Sequence, residues 1–376
     1  MKYLYTWARM PTDNEILHKL CNACSRLEQK LAKLDLNSLG ISEYNQQYLG
    51  NKIASLKHTL QLYGYLLLLS LSHERIEVDD FTFLDYGGGS GIFSFLAKEM
   101  GVGRVIYNDI YDVSCRDVKQ LGRALSLELD DVVCGDVDDL ISYVKEHSII
   151  VNAIASYDVI EHIYDIKDFL RKMALLSRFP FRVVHASGAN TKNPFYVRRT
   201  TRIQTQAEYK GIERKWGWKE RDTLRSYLDI RREIIRSYQP DLSRVEVEEL
   251  ARRTRGLRKD DIERSIDEYR EKGDITYCPD HPSNTCDPYT GNWAEHLMKT
   301  ELLEQTLADS DFSVRILSGY YGSSGGKPKR IIKNLFNVVI RILGRKALII
   351  APYYVVCADY NASQSAAPDG YSADAL

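Results

Sequence analysis

The stretch FLDYGGGSGIF, residues 83–93, constrains the fold more than any other part of this 376-residue chain. A β-type run over Phe81–Asp85 enters Gly87, Gly88, Gly89, Ser90 and Gly91, and a helical pattern through Leu96 to Met100 leaves them. Glycine at such a turn admits positive φ and lets the backbone approach a ligand that any Cβ would exclude. The helix behind it begins with unpaired N–H groups. A strand, glycine turn and helix in this order predict a ligand-binding loop at the carboxyl edge of a parallel sheet.

The flanking sequence supports that sheet. Runs at Phe81–Asp85, Arg104–Asp109, Asp131–Asp136, Ile149–Tyr157 and Arg182–Ala186 alternate with helical patterns, which predicts βαβ units. Residues 300–309 predict one more helix, and Phe312–Leu317 and Ala347–Ala358 two more strands. Before the sheet, residues 12–75 read as helical. Thr12 and Glu15 fit a capping box, and Ile16, Leu17, Leu20, Cys21, Cys24, Leu27 and Leu31 share one helical face. The Cys21–Cys24 pair lies on that apolar stripe and is read as core. Residues 196–292 are rich in charge and read as helices, with a capping box at Ser243 and Glu246 and a stop at Gly256. The expected organisation is an N-terminal helical region (1–78), a first core part (79–195), a helical insertion capping the acceptor (196–292), a second core part (293–360) and a disordered polar tail (361–376).

Two cofactor classes use such a glycine turn. A dinucleotide loop needs GxGxxG, but counting from Gly87 the sixth residue is Ile92, and spacing from Gly89 also fails. A pyrophosphate would also be repelled by an acid just before the loop. Asp85 stands there, two residues before Gly87, and suits a cationic ligand bearing an amino group and a sulfonium. Asp85-x-Gly87-x-Gly89-x-Gly91 resembles motif I of the class I S-adenosylmethionine methyltransferases. RVIYND then ends the second strand at Asp109, where the resemblance implies an acid on the ribose hydroxyls. VVCGDV ends the third at Asp136 and Val137, where it implies an acid and a backbone N–H on the adenine edge. SYDVIEH, residues 156–162, is similar to motif IV, and LLEQTLADSDFSVRILSGYYG to the last helix and sixth strand. The fold implied is a mostly parallel, seven-stranded, Rossmann-like α/β sheet with N-terminal helices and a helical insertion. The cofactor implied is S-adenosyl-L-methionine.

Methyl transfer from a sulfonium asks the protein to position an acceptor and, where needed, remove its proton. His162 is the candidate base, with Glu161 to orient it, and Asp158 is expected at the methionine amino group or the acceptor. No metal ligand is assigned. A divalent metal is kept as an alternative, because Asp158, Glu161 and His162 resemble the ExxEH arrangement of ubiquinone-biosynthesis and plant small-RNA O-methyltransferases, with His185 a candidate fourth ligand. Asn190 and Asn193 at the fifth strand's exit, and the proline-stiffened stretch Cys278–Trp293, are expected near the acceptor. Arg198, Arg199, Arg202, Lys210, Arg214, Lys215, Trp216 and Trp218 form a basic aromatic cluster, read first as a solvated helix face.

Charge bounds the partners. The 51 basic and 52 acidic residues leave a net charge of −1, so a global field for nucleic acid is excluded. Seven scattered cysteines and no apolar leader point to the reducing cytoplasm. Ile331–Val356 is broken by Lys333, Arg341, Arg345 and Lys346, and is expected to be a buried helix followed by a strand. The alternative is weak peripheral membrane contact, since Lys327, Lys329 and Arg330 precede an apolar face. The expected function is O-methylation of a small-molecule or glycan-like acceptor. The alternatives are an RNA or protein methyltransferase and a non-catalytic protein that binds S-adenosylmethionine.

Overall fold

The computed structural model describes residues 2–5, 14–72, 76–211 and 222–361. Its centre is a seven-stranded sheet made of β1 (Thr82–Tyr86), β2 (Arg104–Asp109), β3 (Asp131–Cys134), β4 (Ala153–Tyr157), β5 (Phe181–Ser187), β6 (Phe312–Ser318) and β7 (Tyr354–Tyr360). The spatial order is β3-β2-β1-β4-β5-β7-β6. The first five strands run parallel, and β7 pairs antiparallel with both β5 and β6. This is the mostly parallel Rossmann-like sheet expected from the sequence. The order reverses between β1 and β4, which opens a crevice at their carboxyl ends. All seven residues of β5 are buried, as befits a strand covered on both faces.

Helices α4 (Ile92–Met100), α5 (Asp112–Leu125), α6 (Val137–Glu146) and α7 (Ile166–Met173) connect the first strands, and α12 (Thr300–Ala308) leads into β6. Three N-terminal helices, α1 (Asn14–Ala32), α2 (Glu43–Ala54) and α3 (Leu56–Leu71), pack over one face. Leu17, Leu20, Cys24, Leu27 and Leu31 of the predicted stripe are buried on α1; Thr12 lies outside the described residues. Helix α3 is buried nearly all round, as its unbroken leucine run requires. Arg182 of β5 forks onto Asp359 of β7 at 2.6 and 3.0 Å and donates to the Leu69 carbonyl at 2.9 Å, tying α3 to the sheet. At the other end of this layer, Asp117 of α5 accepts from the Ser42 backbone and from Asn45, which fixes the start of α2 beside the crevice. All seven cysteines are unpaired with one another.

Between β5 and α12 the chain forms α8 (Pro194–Tyr209), α9 (Tyr227–Tyr238), α10 (Arg244–Arg253) and α11 (Lys259–Lys272). They share a separate apolar cluster that includes Ala207, Ile230, Ile234, Leu250, Ile262 and Ile266. The Ser243–Glu246 capping box is formed, but α10 ends at Arg253, before Gly256. Arg231 and Glu208 make an ion pair inside this cluster. Arg231 also donates to the Ala251 carbonyl at 2.8 Å, and Glu208 accepts from Thr285 at 2.7 Å. Arg214, Lys215, Trp216, Trp218 and the tail from residue 362 lie outside the described residues.

Two expectations for the C-terminal part are corrected. Residues Gly344–Ile349 form a 3-10 turn, and β7 starts only at Tyr354. The Ala347 carbonyl accepts from Ile350 and Ala351, and Pro352 has no N–H to give a ladder. The preceding helix α13 (Lys327–Leu343) is not buried either: only Asn337 and Ile340 are shielded from solvent. Most of its other apolar side chains face solvent; Val338 is half-buried, and Phe336 packs on the Tyr321 ring at 5.6 Å.

Candidate cofactor and acceptor site

The glycine loop reaches the crevice with Gly87, Gly89 and Gly91 at φ of 69°, 52° and 75°. A Cβ on Gly87 would stand 2.6 Å from a Val159 methyl, so both conformation and space demand glycine there. The loop is held from β2. Asp109 accepts from the Gly89 N–H at 2.9 Å and from the Tyr111 N–H at 2.8 Å, and the Tyr107 hydroxyl donates to the Gly89 carbonyl at 2.7 Å. Gly91 is the N-cap of α4 and does not border the crevice.

The crevice is a cleft of about 790 Å³. Gly87, Gly89, Asp109, Asp136, Val137, Asp158 and His162 all line it, so seven residues expected at the cofactor or in catalysis meet in one space, while Asp85, Gly91 and Glu161 do not border it. Tyr44 and Tyr48 of α2 form one wall, their rings stacked at 6.0 Å. Arg258, Asp261, Thr290 and Asn292 close it from the insertion side. Asp136 also caps α6, accepting from the Asp138 N–H at 2.8 Å and pairing reciprocally with Asp139.

Asp85 departs from expectation. It lies behind the loop, buried, and does not border the cleft. Its carboxylate accepts from the Ser94 backbone at 3.1 Å and from the Ser94 hydroxyl at 2.6 Å, joining β1 to α4. Burial raises its pKa to about 7, against the opposing pull of those Ser94 hydrogen bonds. It therefore braces the loop and does not face a ligand's positive charge directly.

A second cavity, about 340 Å³, adjoins the first. Tyr157 and Asp158 border both. The second space is walled by Tyr196 and Arg199 of α8, by Glu295, and by Tyr320, Tyr321 and Tyr353. Asp158 has φ 53° and Glu295 φ 63°, rare for residues with side chains, and the two strained residues flank one cavity. Asp158 also accepts from the Gly188 N–H at 3.1 Å. Behind the shared wall, the Lys52 ammonium sits over the rings of Tyr48, Tyr63 and Tyr157 at 5.4, 5.8 and 5.8 Å. Sequence reading missed Lys52 and Glu295; the Tyr44, Tyr48, Lys52 spacing on one face of α2 was the available signal for the first.

His162 follows β4 in a short 3-10 turn, and its Nδ1 lies 2.9 Å from the Trp293 carbonyl. A carbonyl only accepts, so Nδ1 carries the proton and Nε2 keeps the lone pair. The orienting partner is therefore Trp293, not Glu161 as expected. Trp293 is itself fixed by stacking on His296 at 4.0 Å and by donating to the Tyr164 carbonyl at 3.2 Å. Glu161 is completely buried; burial, with Asp158 and Glu295 nearby, pushes its pKa well above the usual carboxylate range. Neither of its carboxyl oxygens has a hydrogen-bond partner among the described residues, and burial favours the neutral form.

The metal alternative is not supported by the arrangement. Among the described residues no group of three or more His, Cys, Asp or Glu side chains could hold a metal ion. His185 is buried and pairs with Ser156 at 2.8 Å, and burial lowers its pKa to about 3. Asn190 and Asn193 are also claimed by the fold. Both donate to the Ala351 carbonyl at 3.0 Å, and both are fully buried. They anchor the β5 exit and do not reach the cavities.

Residues 84–178, about a quarter of the chain, match the family model described as a methyltransferase domain. By sequence, no curated protein matches. Among solved structures, a protein from Streptococcus mutans described as an S-adenosylmethionine-dependent methyltransferase is 15% identical with a TM-score of 0.29; the alignment spans 38% of this chain and only 38% of that one. The plantazolicin methyltransferase BpumL, solved with S-adenosylhomocysteine, is 12% identical with a TM-score of 0.37 over 93% of this chain and 100% of that one. An S-adenosylmethionine-dependent methyltransferase from Mesorhizobium loti is 14% identical with a TM-score of 0.36, over 76% and 93% of the two chains. No helix among the described residues is long and apolar enough to cross a membrane. The family match, the sheet order and the glycine loop agree: residues 84–178 belong to a methyltransferase domain, set in a Rossmann-like sheet.

Proposed function

We propose that the chain O-methylates a small polar or glycan-like acceptor held in the 340 Å³ cavity, with S-adenosylmethionine in the larger cleft. One observation carries this reading: the two spaces meet at a single wall, Tyr157 and Asp158. Gly87 and Gly89 would let the cofactor's methionine end lie against the backbone, Asp109 would take the ribose, and Asp136 with the Val137 N–H the adenine. Bound there, the cofactor supplies a methyl group already activated by positive sulfur. What remains for the protein is alignment and proton removal.

Asp158 borders both spaces and is the group to orient the acceptor hydroxyl. His162 is the proposed base, since its fixed tautomer leaves Nε2 to accept a proton from the cleft side. Burial, which favours the neutral form of Glu161, would keep a second negative charge away from Asp158. Tyr196, Arg199 and Glu295 would give the acceptor an aromatic face and polar handles. A cavity of this size behind a helical cover favours a small molecule over an exposed polymer. The test is transfer of labelled methyl from S-adenosylmethionine to hydroxylated small molecules. Arg199→Ala should raise acceptor KM while leaving cofactor affinity unchanged. Label appearing only in RNA or protein, or Arg199→Ala without effect on KM, would refute the assignment.

A further inference from the structure

Helix α13 shows solvent an apolar face, of which Phe336 rests on the Tyr321 ring at 5.6 Å. Ile331, Ile332, Leu335 and Ile342 are 62%, 53%, 62% and 75% exposed, and Phe336, Val339 and Leu343 join them. At about 3.6 residues per turn these positions form one continuous stripe. Lys329 borders the stripe on one side and Lys327 on the other, with Arg330 and Arg341 farther round the helix. From Lys327 to Lys346 the sequence holds seven basic residues and no acid, in a chain whose net charge is −1. At the start of the helix a separate hollow of about 450 Å³ brings Lys327 and Arg330 together with Lys2 and Lys57 from the N-terminal layer. Of these four, only Lys2 has an ion-pair partner among the described residues, Glu28 at 2.8 Å.

We infer that α13 docks this protein on an anionic lipid surface, its apolar stripe in the acyl boundary and the basic hollow on lipid phosphates. An exposed amphipathic helix with cations at the borders of its apolar face is built for that geometry. A second copy of the chain fits worse. A two-fold contact sets each patch against itself, and a patch without acids would oppose cation to cation. The placement also bears on substrate access, because Lys333 of α13 lines the 340 Å³ cavity. Docking would hold the mouth of that cavity at the lipid interface.

The test is co-sedimentation of the full chain with phosphatidylcholine vesicles, with and without phosphatidylserine. Binding is expected only with phosphatidylserine and should weaken as salt is raised. Leu335→Glu and, separately, Lys327→Glu/Arg330→Glu should each reduce binding about tenfold or more. Both variants alter exposed side chains, so S-adenosylhomocysteine binding should stay at the wild-type level, which verifies folding independently of the lipid result. No sedimentation with anionic vesicles, or sedimentation untouched by Leu335→Glu, would overturn the inference. A dimer that Leu335→Glu dissociates would overturn it in favour of self-association. None of these outcomes depends on whether the acceptor assignment is right.

Discussion

The imidazole of His162 is held through Nδ1 by the main-chain carbonyl of Trp293, 131 residues later in the chain and 2.9 Å away in space. The contact links the end of β4 to the segment that returns from the insertion, so the tautomer of the proposed base is set by the cap. Because the partner is a backbone carbonyl, which only accepts, Nδ1 is the donor in this contact and Nε2 points away from it.

His162→Ala should lower kcat by about 10²- to 10⁴-fold, the usual contribution of a positioned base. Cofactor affinity measured by calorimetry should hold to within about twofold, since the ring is not required by the glycine loop. A wild-type rate would remove His162 from the mechanism.

Asp85 gives a stability prediction with a definite sign. Its carboxyl is raised to about 7 in the folded chain, whereas an unfolded aspartate titrates near ~3.9. The folded state therefore binds the extra proton, and the favourable contribution is complete below the unfolded value. It is lost as pH rises toward 7, because ionising a buried acid costs free energy. Asp85→Asn stays neutral and keeps an oxygen for Ser94. Relative to this variant, the wild type should lose on the order of 2 kcal/mol between about pH 5 and about pH 7. Glu161 titrates with the same sign in both proteins and cancels from the difference. Parallel thermal melts that keep a constant gap across this range would contradict the assignment.

The ion pair between Arg231 and Glu208 makes the cap a separable test. Glu208→Ala leaves a buried guanidinium without its counter-charge and should cost about 3–5 kcal/mol. The double change Arg231→Met/Glu208→Leu removes both charges and should recover most of that loss. Urea unfolding of the three proteins measures both effects. A double variant as unstable as the single one would show that the pair contributes more than mutual neutralisation.

What the sequence made legible was local. The glycine turn, the acidic strand ends and the alternation of period each lie within a few residues, and they suffice for the sheet and for Gly87, Gly89, Asp109, Asp136 and Val137 in one cleft. What it left hidden depends on distant partners. Nothing near Asp85 reveals that Ser94 would turn its carboxylate away from the ligand. Nothing near Asn190 and Asn193 reveals that the Ala351 carbonyl would take both amides. The exposure of α13 was equally hidden, because an amphipathic pattern reads the same whether its apolar face meets a core or the solvent.

The central claim is that the loop clamped by Asp109 holds S-adenosylmethionine, and calorimetric titration of the full chain with S-adenosylhomocysteine tests it most directly. Wild-type protein should bind one equivalent per chain, and Asp109→Ala should bind at least about tenfold more weakly, having lost the Gly89 clamp and the proposed ribose acceptor. Absence of heat and of thermal stabilisation with the wild type, or equal affinity in the variant, would contradict the account.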